Sequence, residues 1–393
     1  LLACGGADRP PGEIEGAPRP AASLAAEARA QEKLARAIGA ERQAEPKQIL
    51  FGDLHAHTTY SLDAFAWNLP LVGGEGAHPP ADACDFARHC SVLDFFALTD
   101  HGESLTPRNW AAEKDSIRQC NARAGDPANP DLVAFMGFEW TQVGSTPKDH
   151  YGHRCVIFPG LDDDELPARP ISSMPAGLQE EWVPRGQEAA MGRWLDPRNW
   201  RVYADLGWLA DRVEALPVCQ PGVDTKELPP DCSERAATPD VLLEKLRQWD
   251  LGELVIPHGT TWGSYTPLAS SLDKQLSRTY YDQERQPVVE LMSGHGNSEE
   301  YRAWRSLERD EGGQPVCPEP TPDYLPCCWR AGEIMRERCG DLPQEECEAR
   351  VAEARRLVLE ANISPELVFP DAPPEDWLDC GQCRDCFKPS FGY

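Results

Sequence analysis

The stretch FGDLHAHTTYSLDA, Phe51 to Ala64, sets two imidazoles and two carboxylates around the end of one apolar run. That run, ILFGDL (Ile49 to Leu54), follows the polar EPKQ and reads as a buried strand leading straight into His55. Side chains alternate along a strand, so Asp53, His55 and His57 are expected on one face. Three polar side chains gathered where a strand ends do not suit an apolar core. They suit a metal ion.

The same order recurs along the chain. Apolar, β-rich runs are read at Ile49–Leu54, Val92–Leu98, Leu132–Phe138, Cys155–Phe158, Leu254–Ile256 and Val288–Leu291. Beside them stand His101 in FFALTDHGE, Glu139 in VAFMGFEW, His153 in GHRCVIF, His258 in LVIPHGT and His295 in VVELMSGHGNSE. Helix-like stretches alternate with the runs at Ala81–Cys90, Arg108–Ala122 and Asp240–Trp249. This alternation predicts a mainly parallel α/β sheet, open or closed into a barrel, whose C-terminal strand ends line the functional face. A single histidine beside a strand is more often structural than a ligand. Repetition at successive strand ends is what favours metal. Of the 9 histidines, His78, His89 and His150 fall outside the pattern and are read as surface, helix or loop residues.

Neutral imidazoles mixed with carboxylates suit Zn²⁺, Mn²⁺ or Fe²⁺, whereas Ca²⁺ or Mg²⁺ would call for oxygen ligands almost throughout. Glu139 is the carboxylate expected to be shared between two cations. Two metals roughly 3.5–4 Å apart can generate hydroxide and clamp attacking and leaving oxygens.

The ordered set GDLHAHTTYSLDA, ALTDHGE, FEW, HRCVIF, IPH, HGNSE and CGQCRDCFKP resembles the domain-of-unknown-function 3604 family. That family is similar to the polymerase and histidinol phosphatase (PHP) superfamily of metal-dependent phosphoesterases. The resemblance runs from about Gln48 to Tyr393. It implies a distorted (β/α)₇-type barrel holding two or three divalent metals. By that likeness His55 and His57 hold one metal, Asp63 reaches another, His101 is a ligand, Glu139 bridges, and His153 and His258 complete the cluster. PHP domains end their metal set with a late D-x-H, which is not found here after Asp53-Leu54-His55. The chain is therefore expected to be a fragment; the competing expectation is a whole protein in which His295 or Glu299 substitutes.

At 393 residues the chain can bury a large core, as one α/β domain or two smaller ones. Its expected layout is a tether over 1–20, an N-terminal helix over 21–47, and a PHP-like domain over 48–393. Within that domain 160–235, rich in Pro, Trp and acid, reads as an inserted lid with a helix near Trp200–Leu216. Helix signals follow at Glu299–Arg309, Trp329–Cys339 and Gln344–Ala361, with Cys-rich loops and no clear further strand. The formal charge of −27 disfavours nucleic acid and anionic lipid, but not a small anionic substrate beside bound dications.

The opening Leu1-Leu2-Ala3-Cys4-Gly5 resembles the end of a bacterial lipobox, with an arbitrary N-terminus as the plain alternative. It predicts a lipid anchor on Cys4, a cell-envelope location (periplasmic or extracellular), and disulfides among the other cysteines, Cys219–Cys232 being the most local pair. CGQCRDC (Cys380, Cys383, Cys386) has zinc-knuckle spacing but only three thiols, so disulfides are preferred there too.

The expected activity is metal-dependent hydrolysis of a phosphate, or sulfate, monoester of a small molecule, with Asp100 and His295 managing protons. A periplasmic metal-binding or sensing lipoprotein without turnover is the alternative, and a folded relic with weak metal binding is the third reading.

Overall fold

The computed structural model describes residues 11–37, 49–74, 78–144, 148–173, 186–259, 274–275, 277–293, 296–297, 308–312 and 314–361. Helix α1 (Ala21–Ala37) is followed by β1 (Gly52–Ala56), α2 (Leu62–Trp67), α3 (Pro80–His89), β2 (Phe95–Leu98) and α4 (Pro107–Ala122). Next come the short ladder β3–β4 (Gly125–Asp126 with Asn129–Pro130), then β5 (Val133–Gln142) and β6 (Gly152–Phe158). The chain continues through β7 (Ile171–Ser172), α5 (Gly186–Leu195), α6 (Trp200–Ala215), β8 (Glu234–Arg235), α7 (Pro239–Trp249) and β9 (Leu254–Pro257). Two short ladders follow, β10–β11 (Met292–Ser293 with Gly296–Asn297) and β12–β13 (Glu308–Arg309 with Pro315–Val316). Helices α8 (Cys327–Arg338) and α9 (Gln344–Ala361) close the described part.

Five strands form one sheet in the order β1-β2-β5-β6-β9, curled into half a barrel. The pairs β1–β2 and β2–β5 are parallel, as the alternation of strands and helices predicts. Closure into a seven-stranded barrel would need strands beyond these five. By contact density the chain divides into two compact units. The first comprises Leu1–Thr141, Arg154–Val255 and Gln283–Pro287, the second Gln142–His153, Ile256–Asp282 and Val288–Tyr393.

In the first unit the connecting helices start by one device. Helices α3, α4 and α7 carry Pro80, Pro107 and Pro239 in the first turn, where a missing N–H costs nothing and the fixed φ suits a helix. Helix α7 then buries Leu242, Leu243, Leu246 and Trp249 along one stripe. On β5 the alternation sends Met136, Phe138 and Trp140 to one face and Glu139 and Thr141 to the other. Phe138 meets Trp110 of α4 and Phe158 of β6, each with ring centroids 6.2 Å apart, and Phe158 meets Trp249. This aromatic layer is the core beneath the sheet.

Several boundaries differ from the sequence reading. Strand β1 begins at Gly52, because Leu50 and Phe51 are exposed and Gly52 is the first residue in register with β2, opposite Phe95. A Cβ at Gly52 would come within 2.3 Å of the Phe95 ring, so only glycine fits. Val288–Leu291 forms no strand: Val288, Val289 and Leu291 are exposed, and the nearest ladder begins at Met292. Of the helix read at Glu299–Arg309, residues 308–309 are the short strand β12 and the rest lies outside the described residues.

Residues 11–20, read as part of a tether, form no helix or strand but are tied into the first unit. Ile14 is buried, Ala81 N–H donates to the Pro11 carbonyl, and the Asp85 carboxylate accepts from Glu15 N and Gly16 N. Arg19 N donates to Asp131, whose buried carboxylate also holds Arg88. Helix α1 is described over Ala21–Ala37 and buries none of its residues; 38–48, the rest of the stretch read as a helix, lie outside the described residues.

In the second unit α8 and α9 pair as a hairpin. Cys327, Cys328, Ala331 and Ile334 pack on Ala354 and Val358, and Arg355 stacks on Trp329 at 3.6 Å. Disulfides Cys317–Cys328 and Cys339–Cys347 staple it. The first unit has Cys84–Cys120, joining α3 to α4, and the expected Cys219–Cys232. Cys4, Cys380, Cys383 and Cys386 lie outside the described residues. Among those described, no helix is long and apolar enough to cross a membrane.

Candidate metal centre

Two strand ends, the inside of a third strand and one helix start supply the side chains in the first unit; β5 runs on to Gln142, so Glu139 lies within it and does not end it as the sequence suggests. The end of β1 gives His55 and, one residue beyond it, His57. The ladder with β2 is irregular between Asp53 and Ala56, so simple alternation fails there. Asp53 accordingly leaves the expected face: it is exposed, and its Oδ1 accepts from His55 N at 2.9 Å. After His57 the chain turns, and Asp100 fixes the turn by accepting from Thr58 N at 2.6 Å and Thr58 Oγ1 at 2.5 Å. Asp100 and His101 follow β2, and Glu139 on β5 is joined to them through Glu139 N–H to the Asp100 carbonyl and Gly102 N–H to the Glu139 carbonyl. Asp63 stands in the first turn of α2, held in place by Leu62 and Phe65 packing on Leu206 of α6.

These residues converge. The Nε2 atoms of His55 and His57 lie 3.0 Å apart, and Glu139 Oε2 lies 3.1 Å from the first and 3.0 Å from the second. His101 Nε2 is 3.6 Å from the same oxygen and 3.0 Å from Asp63 Oδ2. Metal–ligand bonds of roughly 2.0–2.1 Å put neighbouring donors roughly 3.0 Å apart in an octahedral shell and roughly 3.4 Å apart in a tetrahedral one. The His55, His57 and Glu139 donors therefore fit a divalent metal, and they form a group that can hold one. The far ring nitrogens are also occupied: Ser61 Oγ sits 2.9 Å from His57 Nδ1, and Thr141 Oγ1 2.6 Å from His101 Nδ1. With Nδ1 protonated and bonded to a hydroxyl, each Nε2 lone pair is left for a metal.

Electrostatics favour the same reading. Burial works against a charged His101, but Asp63, Glu139 and Glu103 outweigh it and raise the ring to about 10. For Asp63 burial is likewise opposed, mainly by His101, and the carboxyl ends well below its usual range. Without metal, a proton thus takes the place of a cation between carboxylates. Glu103 is pushed up to about 7 by burial, with His101 and backbone donors pulling the other way. Behind the site, Glu113 of α4 is buried beside Asp100, and burial plus that like charge hold it well above the carboxylate range.

His153 opens β6 and His258 follows β9, and both belong to the second unit. Their rings stack with centroids 5.8 Å apart, His258 N–H donates to the His153 carbonyl, and His258 Nε2 lies 3.3 Å from Glu290 Oε2. His78 and His89 are exposed, and His150 is buried beside Gly144. His295 and Glu299 lie outside the described residues. Sequence reasoning missed Ser61, Thr141, Glu103 and Glu290. Glu290 lies inside the predicted run Val288–Leu291, and Glu103 and Thr141 follow close on two others, but none of these four stands in a ligand spacing by which sequence could single it out.

Residues 44–129 match the family model described as "Protein of unknown function (DUF3604)". The matched stretch contains His55, His57, Asp63, Asp100 and His101, and it ends before Glu139. No curated protein and no solved structure matches the chain.

Proposed function

We propose that the chain is a metal-dependent hydrolase acting on phosphate, or sulfate, monoesters of small molecules. The observation that carries this is the convergence of His55 Nε2, His57 Nε2 and Glu139 Oε2 at 3.0–3.1 Å around one point. The order of the motifs is similar to that of the PHP superfamily, and its (β/α)₇ barrel with two or three Zn²⁺ or Mn²⁺ ions is part of the proposal. His101 and Asp63 would hold a second ion, with Glu139 shared.

A divalent metal at such a site supplies Lewis acidity toward an ester oxygen and lowers the pKa of water to near neutrality. The protein's own part is positioning. Asp100 pins the Thr58 turn and so fixes His57, while Ser61 orients the His57 ring and also accepts from His101 N at 2.8 Å. The site is closed behind and open in front: the Glu139 side chain is 0% exposed, His55 and His57 19%, and Asp63 37%. A purely structural metal is enclosed by its ligands, so this accessible side favours turnover over storage or sensing. A charge of −27 supports a small ester over a polyanion. Disulfides support an oxidising compartment, and we place the chain in the bacterial envelope, anchored through Cys4.

The test is a hydrolysis screen on metal-reconstituted protein with aryl phosphates, phosphodiesters and aryl sulfates. Turnover abolished by chelator and restored by Zn²⁺ or Mn²⁺ is expected, strongest on a monoester. Tight metal binding without turnover on any of them would favour the metal-binding lipoprotein.

A further inference from the structure

Glu103 belongs to none of the ligand positions described above, yet it is almost fully enclosed, its side chain 7% exposed. Its Oε1 gathers the N–H of Thr141 at 3.2 Å, the N–H of Ser173 at 3.2 Å and the Ser173 hydroxyl at 3.4 Å. Its Oε2 lies 3.8 Å from His101 Nδ1, on the ring edge that faces away from Asp63 and Glu139. Thr141, whose backbone it holds, places a hydroxyl 2.6 Å from the same nitrogen. Ser173 follows β7, which pairs with β8 of the inserted region. Two segments of the chain are pressed together at this point: a Cβ on Gly102 would meet the Ile171 carbonyl oxygen at 2.7 Å, so glycine is required between His101 and Glu103.

We propose that Glu103 is a positioning residue for the metal centre. Through Thr141 it holds His101 with a proton on Nδ1 and Nε2 turned toward the site, and it ties the β7 segment to that ring. It is not itself a ligand, because it lies against the nitrogen opposite the one that faces the site. A negative charge behind a ligating imidazole strengthens the ring as a donor, and loss of such an outer partner typically costs roughly 10–100-fold in metal affinity. This inference rests on the metal reading of the site.

The experiment compares the full chain with its Glu103→Gln and Ser173→Ala variants. Three readouts are taken: Zn²⁺ affinity by chelator competition, the visible spectrum of the Co²⁺-loaded protein, and melting of the metal-free form. Glu103→Gln keeps an oxygen for Thr141 and Ser173 but removes the charge. It should melt as wild type does, bind Zn²⁺ roughly 10–100-fold more weakly, and show a shifted Co²⁺ spectrum. Ser173→Ala should leave affinity within about threefold, well short of that range. Wild-type affinity and spectrum in Glu103→Gln would overturn the proposal. Should that variant fail to fold, Thr141→Val, which removes the hydroxyl from Nδ1, is read instead, and wild-type affinity there overturns it equally. If the wild-type chain binds no Zn²⁺ at all, the metal reading itself has failed, a result distinct from either.

Discussion

At the residue scale, the site contains a sign-definite pH signature. In the metal-free protein His101 is raised to about 10 from an ordinary 6.5, so its contribution to stability is full below 6.5 and is lost as pH rises through about 10. Asp63 lies below its ordinary 3.8, so its contribution is full above 3.8 and fades only as pH falls through the lowered value. A metal taking His101 Nε2 must expel the proton held there. Binding at about pH 7 should therefore release at least one proton, seen as a binding enthalpy that changes with the ionisation heat of the buffer. That release should disappear above about 10. An enthalpy independent of buffer at neutral pH would remove His101 from the ligand set. The residues behind this signature were only partly legible in the sequence. His55, His57, His101 and Glu139 stood out because each follows an apolar run. Ser61, Thr141 and Glu103 did not, because their roles come from contacts across the sheet rather than from spacing.

Strands and helices were legible wherever burial and propensity agreed. Gln344–Ala361 folds as read, and Ala81–Cys90, Arg108–Ala122 and Asp240–Trp249 fold with their starts moved one residue earlier, to a proline. Readings failed where an apolar run is not buried, as at Leu50–Phe51 and Val288–Leu291, since hydropathy alone does not say which face finds a partner. Residues 11–20 look like a linker by composition, but Arg19 finds Asp131 across 112 residues, a pairing no local pattern reveals. Two outcomes belong to this scale. Leu206, fully buried, seats the helix that bears Asp63, and Leu206→Ala should cost about 2–5 kcal/mol in a denaturant titration. If Asp63 holds a second ion, that ion should be weakened more than one held by His55 and His57, since Asp63 moves with α2; equal loss of both would contradict that role for Asp63. Replacing Cys84 and Cys120 by serine frees α3 from α4 and should cost about 2–4 kcal/mol, with metal content unchanged in the folded fraction. Full metal loss in that folded fraction would mean the helix pair shapes the site directly.

For the molecule as a whole, the candidate site rests on a sheet and a helix start that bring distant residues to one point, while helices α3, α4 and α7 and the aromatic layer support that sheet. Charge sets what can approach. At −27 the chain should show no binding to duplex DNA at physiological salt, and its encounter with a small anionic ester should depend on the bound cations rather than on the surface. Retention of duplex DNA in a gel-shift assay would contradict this. Whether His55, His57 and Glu139 hold a divalent metal is decided by metal stoichiometry, from elemental analysis of wild type and Glu139→Gln. Glu139 is wholly buried within β5, and the substitution keeps its volume while removing the negative charge that a bound cation would need. The wild-type chain should carry at least one tightly bound Zn²⁺ or Mn²⁺ per molecule. Glu139→Gln should keep its fold by circular dichroism and lose at least one metal, with affinity down more than about 100-fold, beyond the range of outer-shell partners. Undiminished metal content in a folded Glu139→Gln protein, or none in the wild type after reconstitution, would mean that His55, His57 and Glu139 do not hold a metal together.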